Sequence, residues 1–305
     1  MKIVVTGGAG FIGSNLVKRL VEDGHDVTVI DNFLLGTMDN LEPVKDKIKF
    51  LEGDIRNSGF MNEALKGVDV VFNEAAASAS PMFMEDLRDA VSVNVDGFIN
   101  VLDAMRKNGV KKLVYASTSS IYGNATPPLR EDMVTDIPNF YAVTKKLNED
   151  ISKVYSKEYG IDCVGLRYMS VYGPNEEGKG GLANLASQFL WAMQKDEKPV
   201  LYGDGSQTRD FVFVKDVVEA NILAMNSDVK WDIFNVGTGK VTSLNELVDI
   251  LNKLLGKNIE SEYIENKIKN YIAVQQGSTE KAKKGLGFES KYSVEDGLKE
   301  IIQSL

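Results

Sequence analysis

The 305-residue chain contains one cysteine, Cys163, and one histidine, His25. A lone cysteine allows no disulfide within the chain, and Cys163 stands in an apolar, strand-like run where a buried, inert thiol is expected. His25 falls in a turn between a helical and a strand pattern. A histidine base is therefore disfavoured, and so is a zinc site. No apolar run is long enough to span a bilayer, and the first residues enter a strand pattern directly, without the look of a signal peptide. A reducing cytoplasm is the expected location. Positive charge is also short: 35 Lys and Arg stand against 44 Asp and Glu, a net charge of −9. Nucleic acid and anionic membrane surfaces are poor partners for such a chain. Internal repeats and low-complexity segments are missing. What is present is ample apolar content, 43%, enough for the core of one large α/β domain or two smaller ones.

The chain is organised around its first 31 residues. The run KIVVT reads as a buried strand. It turns through Gly7-Gly8-Ala9-Gly10-Phe11-Ile12-Gly13 into a helical pattern with Ile12, Leu16, Val17 and Leu20 on one face and Gly24 as the stop. A second strand, Val27 to Ile30, ends at Asp31. Gly7 permits the tight turn, Gly10 lets backbone amides approach a pyrophosphate, and Gly13 lets the helix pack on the strand. A pyrophosphate then meets free N–H groups at the positive end of the helix. Asp31 is placed to accept from both ribose hydroxyls, which favours NAD over NADP.

The alternation of strand and helix continues. Ile48 to Leu51 is a third strand and leads to Asp54, which either reaches an adenine amino group or simply closes a turn. Val68 to Phe72 is a fourth, followed by Asn73-Glu74-Ala75-Ala76-Ala77. The alanines let the chain pass close to a cofactor. Glu74 is unusual there and reads either as a functional acid or as a solvated or paired carboxylate. Ala90 to Lys107 reads as one long helix, apolar nearly all round, and so covered on two sides. Leu113 to Ala116 and Asp162 to Arg167 complete a six-strand pattern. This is an α/β chain: a Rossmann, doubly wound parallel sheet with a smaller C-terminal α/β part. Residues 1–170 are expected to form the NAD-binding domain, with a returning segment around 210–237, and 171–305 mainly the substrate domain. Asn175 to Gly181 reads as a mobile loop.

The chemistry concentrates in Ser117-Thr118-Ser119-Ser120-Ile121-Tyr122-Gly123, at the end of the fifth strand, and in Tyr141-Ala142-Val143-Thr144-Lys145, near a helix start. Positions i and i+4 share a helix face, so Tyr141 and Lys145 point together into a cleft. Val143, Leu147, Ile151 and Val154 form the opposite stripe, expected to face the core. A nearby ammonium and a cationic nicotinamide favour the phenolate, which makes a tyrosine a usable base near neutral pH.

With TGGAGFIG, GDIR, NVDGFINVL, STSSIYG, YAVTK, LRYMSVYGP, GDGSQTRDFVFVKD, FNVGTGKVTS and KAKKGLGF in one order, the whole chain resembles the extended short-chain dehydrogenases/reductases. Within them it resembles the NAD-dependent nucleotide-sugar epimerases and dehydratases of the UDP-glucose 4-epimerase type. The resemblance implies that Gly7, Gly10, Phe11, Ile12, Gly13, Asp31, Asn32, Asp54, Ile55, Ala75, Ala76, Ala77, Asn94 and Tyr168 contact NAD, together with Tyr141 and Lys145. It implies that Thr118 bonds the sugar 4-hydroxyl, that Tyr141 is the base and that Lys145 is its partner. Ser80, Ser119, Ser120, Ser170 and Arg209 then face the nucleotide sugar, Arg209 on its diphosphate. The chain departs from the family in three places. Met169-Ser170 replaces Phe-Asn, Asn73-Glu74 replaces His-Leu, and a second phosphate arginine is missing, for which Lys267 or Lys269 can substitute.

The implied activity is a UDP-hexose 4-epimerase, most simply UDP-glucose/UDP-galactose, working through a 4-keto sugar with NAD bound throughout. A UDP-glucuronate 4-epimerase stays open, as does another dehydratase or dehydrogenase of the family. Ser119-Ser120 argues against the dehydratases, which carry Asp-Glu there. A non-catalytic NAD sensor fits poorly with Thr118, Tyr141, Lys145 and Arg209 all in place. The apolar helix near Val91–Met105 and the outer face of the Tyr141 helix either pair in a C2 homodimer or are buried within one chain.

Overall fold

A computed structural model describes residues 1–266 and 272–303. In the first part of the chain strands and helices alternate: β1 (Lys2–Thr6), α1 (Phe11–Glu22), β2 (Asp26–Asp31), β3 (Ile48–Glu52), α2 (Ser58–Ala64), β4 (Val70–Asn73), α3 (Ser80–Glu85), α4 (Leu87–Asn94), α5 (Asp96–Asn108), β5 (Lys112–Thr118), α6 (Phe140–Tyr159) and β6 (Asp162–Tyr168). The second part runs β7 (Ser170–Tyr172), α7 (Leu185–Gln194), β8 (Val200–Tyr202), β9 (Thr208–Arg209), β10 (Phe211–Phe213), α8 (Val214–Asn226), β11 (Trp231–Val236), β12 (Thr242–Ser243), α9 (Leu244–Leu255), β13 (Glu262–Ile264), α10 (Glu280–Leu286) and α11 (Val294–Gln303).

Seven strands form one parallel sheet in the order β3-β2-β1-β4-β5-β6-β11. The order reverses between β1 and β4, and a sheet of this kind binds ligands outside its carboxyl edge at such a reversal. This is the doubly wound Rossmann arrangement, with β11 supplied from late in the chain. One face buries Val5 and Val29 under Leu16, Val17 and Leu20 of α1 and Val217 and Ala220 of α8. The other buries Val4, Val71 and Leu113 under Phe98, Val101, Leu102 and Met105 of α5. A third cluster joins Phe189 and Leu190 of α7, Leu247 and Leu251 of α9 and Leu298 of α11 to Phe211 and Phe213. No helix among the described residues is long and apolar enough to cross a membrane.

Three expectations need correction. The single helix over 90–107 is two, α4 and α5, broken at Val95; beside the break the Asn94 carbonyl accepts from Asn148 Nδ2 at 2.9 Å. The apolar stripe of α6 faces the core only at Ile151, which packs against the α5 side of the sheet. Val143, Leu147 and Val154 are 47%, 42% and 56% exposed, while Lys145, Asn148, Glu149 and Ser152 are buried. Hydrophobicity was outweighed by partners that only the fold supplies. Glu149 meets Arg167 in a bidentate pair (2.7 and 2.8 Å), and Ser152 meets the Tyr115 hydroxyl at 2.8 Å. The stretch 175–181 is anchored by Glu176, fully buried, whose carboxylate accepts from Asn184 N (2.8 Å) and Ser187 Oγ (2.6 Å).

Candidate active site

At the carboxyl edge of the sheet lies a cavity of about 360 Å³ that runs from the glycine turn to the ends of β5 and β6. Its first wall is the turn between β1 and α1. Gly7 has φ of +68°, and a Cβ there would lie 2.6 Å from Ala75 N. A Cβ on Gly13 would lie 2.2 Å from the Gly7 carbonyl oxygen, so the helix start can sit this close only without side chains. Gly10 caps α1 with no side-chain hydrogen bond, which leaves the first amides of the helix without a side-chain partner of their own. A Cβ on Gly10 would meet only the Gly7 carbonyl, at 3.2 Å. This cradle fits a dinucleotide diphosphate, with Phe11, Ile12 and Gly13 beside it in the lining.

Asp31 ends β2 and is 7% exposed. Its oxygens accept from Ala9 N (2.9 Å) and Phe33 N (2.8 Å). Burial pushes its carboxyl up, and these amides pull it back. Asn32 Nδ2 donates to Asp54 Oδ2 at 3.2 Å, and Arg56 clamps Asp54 at 2.6 Å, which holds that carboxyl below its ordinary range. Asp31, Asn32, Asp54, Ile55, Ala75 and Ala76 all line the cavity.

The far end is built by β5, β6 and α6. Asn139 caps α6 through its side chain, which accepts from Ala142 N at 2.9 Å, and this fixes where Tyr141 and Lys145 leave the first turns. Thr118, Ser119, Ser120, Tyr141, Lys145, Tyr168 and Ser170 line this end. The Thr118 hydroxyl accepts from Ser120 N at 3.1 Å and also draws the Tyr141 phenol toward ionisation. Burial outweighs it, so the phenol is raised, and the charge of Glu74 raises it further. The expected lowering by Lys145 is not what acts on the phenol here. Lys145 Nζ donates instead to the Ala116 carbonyl of β5 at 3.1 Å, and burial pushes its ammonium down to about 8 against the pull of Glu74.

Several expected residues lie elsewhere. Ala77, Ser80, Asn94 and Arg209 are outside the cavity lining. Asn94 is buried and committed to protein: Ala77 N donates to its Oδ1 at 2.8 Å, and its Nδ2 donates to Ala77 O and Thr144 Oγ1. It therefore ties the alanine run to α6 and presents no free amide to a cofactor. Ser80 opens α3, with Pro81 behind it. Arg209 sits in β9, paired with β12, and its Nη1 donates to Thr208 O. Lys267 and Lys269 lie outside the described residues. Gln275 was not foreseen. Its amide bridges Ser119 Oγ (2.8 Å) and Ser170 Oγ (2.7 Å) across the cavity wall. Those serines are more than 100 residues away in the chain, so no local pattern could single Gln275 out. Among the described residues no cluster of His, Cys, Asp and Glu could hold a metal ion. Burial pushes the Cys163 thiol up to about 12.

Comparison with known proteins matches this geometry. The model of the NAD dependent epimerase/dehydratase family matches residues 3–237. A putative UDP-glucose 4-epimerase of Methanocaldococcus jannaschii is 37% identical, covering 98% of this chain and 97% of its own. A UDP-N-acetyl-alpha-D-glucosaminuronate decarboxylase of Bacillus cytotoxicus is 34% identical over 99% of this chain and 97% of its own. The crystal structure of UDP-glucose 4-epimerase from Thermotoga maritima, determined with UDP-glucose, superposes with a TM-score of 0.93 at 33% identity, covering 99% of this chain and 98% of that one. With the family model spanning the sheet, the glycine cradle and the Tyr141 helix, the chain belongs to the NAD dependent epimerase/dehydratase family and is an NAD-dependent enzyme, an isomerase.

Proposed function

We propose that the chain inverts carbon 4 of a UDP-hexose, UDP-glucose and UDP-galactose first. The observation that carries this reading is the joining, in one cavity, of a glycine cradle and Asp31 to Thr118, Tyr141 and Lys145. Residues 1–170, with the segment around 210–237, hold the cofactor, and 171–305 mainly close over the sugar. Bound NAD supplies reversible oxidation at carbon 4. Tyr141 Oη takes the proton of the 4-hydroxyl and later returns it to the same oxygen. Thr118 Oγ1 orients that hydroxyl, and Lys145, one helical turn on from Tyr141, is its partner in the cavity wall. Ser119, Ser170 and Gln275 offer neutral hydrogen-bonding groups to the sugar. Ser119-Ser120 after Thr118 carries no extra acid, which favours inversion over elimination.

We further propose a homodimer in which the outward stripe of α6, Val143, Leu147 and Val154, with Leu87 of α4, is covered by its copy; all four are at least 39% exposed. The test of function is to incubate UDP- and dTDP-sugars singly with the enzyme and read the products by NMR. UDP-glucose and UDP-galactose should interconvert with no accumulation of NADH. Inversion confined to UDP-glucuronate would move the reading to a uronate epimerase, and NADH building up with turnover would overturn epimerisation.

A further inference from the structure

Glu74 lines the same end of the cavity as Tyr141 and Lys145 and has no role in this mechanism. It follows β4 directly, its own N–H donating to Thr6 O at 3.1 Å. Its Oε1 accepts from the Tyr168 hydroxyl of β6 at 2.9 Å, and that hydroxyl accepts from Asn221 Nδ2 of α8 at 2.9 Å. Strand β5 lies between β4 and β6, so this hydrogen bond crosses over β5. Lys145 Nζ comes down on the same strand, at the Ala116 carbonyl, and the Thr118 hydroxyl that acts on Tyr141 is two residues further along. The four groups Glu74, Tyr168, Lys145 and Tyr141 thus meet over one short length of β5, and all four line the cavity.

We propose that Glu74 is a positioning residue that sets the protonation of the Tyr141–Lys145 pair through its charge. The inference rests on the reading of Tyr141 as the base. The titratable groups facing Glu74 are Tyr168 from β6 and Lys145 and Tyr141 from α6. Burial pushes its carboxyl up to about 7, opposed by the Tyr168 hydrogen bond and by Lys145. As a carboxylate it holds the Lys145 ammonium charged and keeps the phenol proton on Tyr141. As a carboxylic acid it withdraws both effects. The state of Glu74 near neutral pH therefore decides how readily Tyr141 becomes the base.

The test is the tyrosinate absorbance of the NAD-loaded protein, titrated between pH ~6 and ~10.5 to span the ordinary tyrosine range. Tyr141→Phe, made in each background, identifies the Tyr141 signal by difference. In Glu74→Gln, an isosteric change whose amide oxygen still accepts from Tyr168, that signal should move to lower pH by about one unit, as expected for removing one partly screened charge at close range. The acid limb of the kcat profile should move the same way. Tyr168→Phe keeps the residue at 74 but removes the hydrogen bond that favours its carboxylate, and should give a smaller shift of the same sign. A Tyr141 signal that stays within ~0.2 unit in both variants, or moves upward, would overturn the proposal, because one charge at this range is worth several times that. The absorbance reads the phenol alone, so the outcome does not depend on which sugar the enzyme inverts; a failed epimerase assay would be seen separately.

Discussion

Helices α9 and α6 follow opposite rules. α9 begins with a capping box, Ser243 with Glu246, and ends on Gly256 in the left-handed region. It buries Leu244, Leu247, Val248 and Leu251, so its apolar stripe and its inner face coincide. α6 is also well capped, by Asn139 and Gly160, but it turns Lys145, Asn148, Glu149 and Ser152 inward and Val143, Leu147 and Val154 outward. The inner face of α6 is affordable because nearly every polar group finds a partner. Glu149 holds Arg167 and accepts from Ser117 Oγ at 2.6 Å, and Arg167 Nη1 donates to the Tyr122 hydroxyl at 2.9 Å. A helix that serves only the core is ordered by transfer from water, whereas one with a polar inner face is ordered by hydrogen bonds and ion pairs.

The contrast can be broken at four points. Removing the proposed base should have the largest effect: Tyr141→Phe should lower kcat by about 10²- to 10⁴-fold, with the melting temperature nearly unchanged. Turnover within a few-fold of the parent would remove Tyr141 from that role. Next is the buried pair, where side-chain exposures are 5% and 2%. Arg167→Ala leaves the Glu149 charge uncompensated and should cost about 3–5 kcal/mol in denaturant unfolding. On the apolar helix, Leu247→Ala should cost about 2–4 kcal/mol through transfer and cavity formation, with no change in the pH dependence of stability. A cost below that of the Arg167 variant keeps the ranking; a reversal would mean that α6 is the more tolerant helix.

The smallest effect is the pH dependence set by Glu74. Its folded value is raised, so the stability it contributes is complete below about 4.5 and is lost as the pH rises through about 7. Glu74→Gln lacks that loss. The variant should therefore gain about 1–2 kcal/mol on the parent between pH 5 and 8, after part of the gain is offset by the lost attraction to the Lys145 ammonium. Guanidinium midpoints at the two pH values measure it, and parallel curves would contradict the burial of this carboxyl.

The sheet was legible because its strands are short β-branched runs bounded by turns, and because the glycine spacing admits few other local structures. That Tyr141 and Lys145 share one side of a helix was legible from their spacing, since i and i+4 share a helix face wherever the helix lies, and both line the cavity. The facing of α6 was not. Which side of that helix turns inward depends on Arg167, Tyr115 and Asn94, which lie on other elements. The partners of Asn94 were hidden for the same kind of reason: its amide is bound to Ala77 and Thr144, which no local pattern names. Gln275 and the environment of Glu74 arise from contacts across the sheet edge or between its strands, where sequence distance carries no signal.

Asp31 has a consequence for redesigning coenzyme preference. Each of its oxygens already receives a main-chain amide, one from the glycine turn and one from Phe33. Exchanging it for a neutral or basic residue to welcome a 2′-phosphate would strip both amides of their acceptor while they remain sheltered from water. A switch to the phosphorylated dinucleotide is therefore a loop-grafting problem, in which the segment from Ala9 to Phe33 must be rebuilt as a unit.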